Sequence, residues 1–167
     1  VSKLAGEGHC RSFWHVYGLE TVALRYFNVF GPRQDPASQY AAVIPMFIAA
    51  FLDGRPPTIH GDGEQSRDFT YIDNVLDATL LAARADGVAG ETFNVASGER
   101  ISLNTLIAEL RELTGKEIEP IHTDPRPGDV PHSLADVSKA REAFGYEPMI
   151  DVRTGLRRVL AWYEERR

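Results

Sequence analysis

Residues 61–75 read Gly-Asp-Gly-Glu-Gln-Ser-Arg-Asp-Phe-Thr-Tyr-Ile-Asp-Asn-Val. The glycine pair lets the backbone turn tightly. Residues 68–72 then predict a short strand, set around the turn against a second one at 58–60. Asp73 reads as the N-cap of a helix running to about residue 85. A strand that passes directly into a helix is the building unit of α/β proteins, so this stretch sets the fold class.

Upstream, residues 2–17 predict a helix, with Ser2 at its start and Gly18 where a left-handed residue is wanted. Residues 21–27 (TVALRYF) predict a strand, and 28–37 (NVFGPRQDPA) a loop. A helix follows near 43–53, with Pro45 early and Gly54 just past its end. Downstream, 92–96 (TFNVA) predicts a strand. Ser102 caps a helix whose Leu103, Leu106, Ile107, Leu110 and Leu113 share one face, and Gly115 ends it. A strand at 117–122, a Pro-rich loop at 123–133, a short helix capped by Asp136 and a last helix capped by Asp151 complete the chain. The strands are too few and too irregularly spaced for a complete doubly wound sheet.

The 167 residues suffice for one region with its own core. Hydrophobic content of 43% and charged content of 25% are those of a soluble globular protein. A net charge of -6 argues against nucleic acid, which draws a basic footprint. Cys10 is the single cysteine, so no internal disulfide forms and a reducing, cytoplasmic setting is expected. No apolar run approaches the roughly 20 residues of a membrane span. His9, His15, His60, His122 and His132 show no zinc-like spacing, so no metal is expected. The chain carries neither a P-loop nor a nucleophile elbow.

Three segments are too polar and Gly/Pro-rich for a core. The first is Tyr26-Phe27-Asn28-Val29-Phe30-Gly31-Pro32-Arg33, at the carboxyl end of a strand, where open α/β sheets bind ligands. Asn28 either serves a ligand there or caps its own backbone. The second is residues 61–69, in which the Arg67 fork suits a phosphate; alternatively Arg67 pairs at the surface with Asp62 or Asp68. Its Gly-x-Gly is not a dinucleotide fingerprint, since Ser66 stands at the third glycine and no helix begins there. The third is Arg126-Pro127-Gly128-Asp129-Val130-Pro131-His132-Ser133, a cation and a carboxylate on a stiff loop. A cation for a diphosphate and a carboxylate for ribose hydroxyls make a sensible nucleotide pair, and a solvated charged loop is the bland alternative.

In order and spacing these segments resemble the extended short-chain dehydrogenase/reductase family, and within it the UDP-sugar 4-epimerases. The likeness runs from Val1 to the last helix. Residues 61–75, and 126–129 with 132–136, are its most specific parts, and their wording is similar to epimerases of UDP-N-acetylhexosamines. Val1-Ser2-Lys3-Leu4-Ala5-Gly6-Glu7 resembles the end of the family's Tyr-x-x-x-Lys motif. The resemblance implies an incomplete Rossmann-type α/β fold. Residues 1–167 would be a single C-terminal substrate-binding region, with 1–30 and about 73–97 similar to the last parts of the NAD-binding domain.

It also implies roles. Lys3 would hold the nicotinamide ribose and lower the pKa of the catalytic Tyr. Tyr26 and Val29 would face the nicotinamide of NAD. Asn28, Arg67 and Arg126 would contact the diphosphate, and Asp129 the ribose. Val43, Ile44, Thr58 and His60 would line the uridine site, with histidine where a larger aromatic ring often packs on uracil. The implied reaction inverts C4 of a UDP-hexose through a 4-keto intermediate. The motif's Tyr would lie two residues before Val1, so the chain reads as a fragment that binds NAD poorly and does not turn over alone. Raw strand edges imply a homo-oligomer, a dimer. Alternatives are another NAD-dependent nucleotide-sugar enzyme (a 4,6-dehydratase or a decarboxylating synthase) and a non-catalytic nucleotide-sugar binding module.

Overall fold

The computed structural model of the chain describes residues 1–38 and 42–166. In chain order the elements are α1 (Ser2–Tyr17), β1 (Ala23–Tyr26), β2 (Val29–Phe30), α2 (Val43–Leu52), β3 (Thr58–His60), β4 (Ser66–Arg67), β5 (Thr70–Tyr71), α3 (Ile72–Arg84), β6 (Thr92–Val95), β7 (Ile101–Ser102), α4 (Leu103–Thr114), β8 (Ile121–Thr123), α5 (Ser138–Phe144) and α6 (Val152–Glu164). The class is α/β. Strands pair two by two: β1 with β6, β2 with β5 and β3 with β8 run parallel, while β4 and β7 run antiparallel. Parallel pairs need long crossovers, and within residues 61–75 β4 pairs with β7 while β5 pairs with β2. Among the described residues no helix is long and apolar enough to cross a membrane.

Two apolar clusters result. One gathers Phe30, Phe47, Phe51, Ile59, Leu106, Leu110, Leu156 and Val159 from β2, α2, β3, α4 and α6. The other gathers Val75, Ala78, Phe93, Val95 and Tyr146 around α3 and β6. Ile72, the first residue of α3, packs against both. Tyr146 is fully buried and its hydroxyl donates to the Ala96 carbonyl at 2.8 Å. Burial, then the negative charge of Asp68 and Asp77, pushes this phenol above its ordinary range, which keeps it a donor.

Several helix ends follow the sequence. Gly18, Gly115 and Gly145 close α1, α4 and α5 in the left-handed conformation. Ser102 accepts from the Thr105 amide, and Asp151 from the Thr154 amide. That backbone bond holds the Asp151 carboxyl below the usual carboxylate range. Other expectations need correction. Residues 58–60 and 68–72 do not form a hairpin, because β3 pairs with β8 instead. Strand structure stops at Asp68, whose carboxylate turns inward to bind other loops, and resumes at Thr70. Tyr71, not Asp73, is the N-cap of α3; Asp73 lies in the first turn and pairs with Arg158 at 2.9 Å. Val1 rather than Ser2 caps α1, and Val137 rather than Asp136 precedes α5. The loop at 28–37 contains β2, because Val29 and Phe30 find a parallel partner far along the chain. The strand expected at 117–122 lies at 121–123.

The approach of α6 depends on one missing side chain. A Cβ on Gly155 would sit 2.7 Å from the Phe30 ring and 2.8 Å from the Tyr71 ring. Gly155→Ala is therefore expected to lower stability by about 1–3 kcal/mol despite alanine's better helix propensity. Urea unfolding midpoints check this; an unchanged or higher midpoint would mean that α6 can slide away freely.

Candidate nucleotide site

The polar segments singled out in the sequence meet at two adjoining cavities of about 350 and 150 Å³. Val43, Thr58, His60, Arg67, Arg126 and Asp129 line the larger one. Asn28, Val29, Val43, Ile44 and Arg67 line the smaller. Val43 and Arg67 line both, so the two cavities lie side by side as a two-part cleft. Its apolar floor comes from Phe47, Ala50 and Leu103 of α2 and α4.

Each functional side chain has a local reason for its place. Asn28 leaves β1 with a φ of 34°, a left-handed conformation that asparagine tolerates better than most residues. Its Nδ2 donates to the Asp68 carbonyl at 3.0 Å. Arg67 lies on β4 and is mostly covered, with its side chain 17% exposed. Its Nη1 donates to the carbonyls of Ser66 (2.9 Å) and Pro131 (3.2 Å), and its Nη2 meets the Asp129 Oδ1 at 2.5 Å. The partner of Arg67 is thus neither Asp62 nor Asp68. The Asp129 amide donates to the Arg126 carbonyl, and Gly128 turns between them with a φ of 80°. That turn holds the cation and the carboxylate on one short loop. Arg126 Nη2 donates to His60 Nε2 at 3.0 Å. An imidazole nitrogen that accepts carries no proton, so the ring's hydrogen is on Nδ1, which donates to Thr123 Oγ1 at 2.8 Å.

Asp68 fastens the back of the cleft. Fully buried, it accepts from the Ser97 amide (2.9 Å) and hydroxyl (2.6 Å) through Oδ1. Through Oδ2 it accepts from the Gly98 and Ala135 amides, both at 3.2 Å. Ser66 adds a second clasp: its amide donates to Pro131, its carbonyl accepts from Ser133, and its hydroxyl lies 2.9 Å from His132 Nδ1. The segments carrying Asn28, Arg67 and Asp129 are therefore held by one knot.

Two expected residues stand apart from the cleft. Tyr26 is half exposed, and its hydroxyl lies 3.0 Å from Thr79 Oγ1. Lys3 lies on the exposed first turn of α1. This helix runs back along β1, with Thr21 Oγ1 donating to the Cys10 carbonyl and Arg25 paired to Glu7, so Lys3 lies toward the carboxyl end of β1. Gln65 was not anticipated. It lines the larger cavity and donates to the His60 carbonyl at 2.6 Å. Its position two before Arg67 was the available signal, since alternate residues of an extended chain share a face.

The surface so formed offers guanidinium donors beside one carboxylate over an apolar floor, which suits a phosphorylated ligand with an attached ring. Residues 1–96 match the model of the NAD dependent epimerase/dehydratase family. A solved UDP-N-acetylglucosamine 4-epimerase of Methanobrevibacter ruminantium M1, in complex with UDP-N-acetylmuramic acid, is 43% identical with a TM-score of 0.93; the alignment covers 98% of this chain and 52% of that one. The UDP-glucose 4-epimerase of Thermotoga maritima, solved with UDP-glucose, is 38% identical with a TM-score of 0.92, over 98% of this chain and 52% of that one. The UDP-glucose 4-epimerase of Mycolicibacterium smegmatis is 34% identical over 99% of this chain and 52% of its own length. The chain spans about half the length of these relatives. Its α/β elements are accordingly part of a Rossmann-type fold, and the chain belongs to the NAD dependent epimerase/dehydratase family.

Proposed function

We propose that this chain is the nucleotide-gripping part of a UDP-sugar 4-epimerase. The carrying observation is that Arg67, Arg126, Asp129, His60 and Val43, drawn from distant segments, line one cleft of nucleotide size. Arg67 and Arg126 bind the diphosphate, with Asn28 adding a neutral donor. Asp129 accepts from the ribose hydroxyls. Val43, Ile44, Thr58 and His60 enclose the uridine. A grip confined to the nucleotide leaves the hexose free to present either face, as inversion at C4 requires. The epimerase relatives support this reading, and a UDP-sugar decarboxylase 32% identical to the chain keeps the decarboxylating reading second.

NAD, when bound, supplies the oxidation and re-reduction of C4. The residues fit its nicotinamide end: Tyr26 and Lys3 are exposed toward one end of β1, and Val29 lines the smaller cavity next to Asn28. Lys3 orients the nicotinamide ribose, and its ammonium favours a neighbouring phenolate. We also propose a homodimer. Phe13, Val16 and Tyr17 leave an apolar face of α1 uncovered, and β1 has a partner on one edge only among the described residues.

The test is calorimetric titration of the chain with UDP and with UDP-N-acetylglucosamine. Arg126→Ala is expected to weaken both about tenfold, the worth of one charge-assisted hydrogen bond. No binding to the parent chain, or binding indifferent to Arg126, would refute the assignment.

A further inference from the structure

We infer that Asp129 is a specificity-determining residue that makes the Arg67 grip on a diphosphate conditional on an attached ribose; this rests on the nucleotide reading above. A guanidinium has five N–H groups in a fixed fork. Nη1 is committed to the carbonyls of Ser66 and Pro131. An incoming anion is left with the Nε hydrogen and the two on Nη2, and the Asp129 carboxylate takes one of these three, on Nη2 at 2.5 Å.

The two partners are unequally held. Arg67 is 17% exposed and fixed by the backbone of its own strand and of the 131 loop. Asp129 is 44% exposed on the turn closed by Gly128, and among the described residues its carboxylate is held by Arg67 alone. When the pair opens, Asp129 is the side that moves. A bare diphosphate brings only acceptors and negative charge. It shares the guanidinium with Asp129 or displaces it, and in either case the carboxylate is left facing a like charge with no new donor. A ribonucleotide brings two adjacent hydroxyls that donate to the released carboxylate. Asp129 thus opposes the diphosphate alone and favours it when ribose is joined to it. The residue acts as an internal competitor against free phosphates.

The test compares inorganic pyrophosphate and UDP as titrants of the parent chain, Asp129→Asn and Asp124→Asn. Asp124 lies on the same loop without contact to Arg67, so its variant controls for net charge. Asp129→Asn is expected to bind pyrophosphate about fivefold more tightly than the parent, the scale of a partly exposed ion pair. It should also bind UDP no better, so its preference for UDP over pyrophosphate falls. Asp124→Asn should leave that preference unchanged. An unaltered pyrophosphate affinity in Asp129→Asn, or the same gain in Asp124→Asn, overturns the inference. Failure of the nucleotide reading is a separate outcome, seen as a parent chain that does not bind UDP.

Discussion

Asp68→Asn is expected to lower the stability of the chain by about 2–5 kcal/mol, the cost of stranding buried donors that faced a charged acceptor. The substitution is isosteric, so packing is hardly disturbed. The new Oδ1 can still accept from the Ser97 amide and hydroxyl. The new Nδ2, however, faces the Gly98 and Ala135 amides, and donor then meets donor inside a residue with no exposed surface. Turning the amide over only moves the conflict to Ser97. Equilibrium urea unfolding gives the number. A loss below about 0.5 kcal/mol, the range of ordinary surface changes, would mean that these loops are held by their own packing.

Asn74→Ala should be of similar size, about 2–4 kcal/mol, for a different reason. Asn74 is 2% exposed on α3. Its Oδ1 accepts from the Met149 and Ile150 amides, both at 3.0 Å, and its Nδ2 donates to the Ile150 carbonyl at 2.7 Å. One side chain therefore serves three backbone groups of the segment that leads into α6. Alanine leaves all three without partners and lets α6 pivot where it is seated by Gly155. Asn74→Asp separates the contributions: it keeps both accepted bonds but replaces the donor with an acceptor aimed at a carbonyl. It should also destabilise. An aspartate variant as stable as the parent would show that the Ile150 carbonyl needs no donor from this side chain.

What the sequence made legible was local. The caps at Ser102 and Asp151 and the left-handed glycines depend on neighbours within four residues, and they hold. That Arg67, Arg126 and Asp129 would line one cavity was legible because they stand in unusual, stiff contexts and because the spacing of those contexts resembles a family. What was not legible was pairing across distance. β2 has two residues and no periodicity; it exists because Thr70 and Tyr71 lie beside it. Asp68 was read as a possible surface partner of Arg67, yet adjacent residues of an extended segment point to opposite sides. That parity sends Arg67 to the cleft and Asp68 to the interior. Asn74, one residue past a supposed cap, offered no signal that it serves residues 149 and 150. Gly155, inside α6, carried no reading in the sequence, and its purpose appears only once Phe30 and Tyr71 are in place.

The knot at Asp68 has a kinetic corollary. The amides of Ser97, Gly98 and Ala135 donate to one carboxylate although they belong to segments far apart in sequence. Deuterium should therefore enter all three through a single opening event. A ligand seated against Arg67, the residue next to that carboxylate, should slow their exchange together and by a common factor. Three backbone positions that never touch the ligand would then act as its reporters.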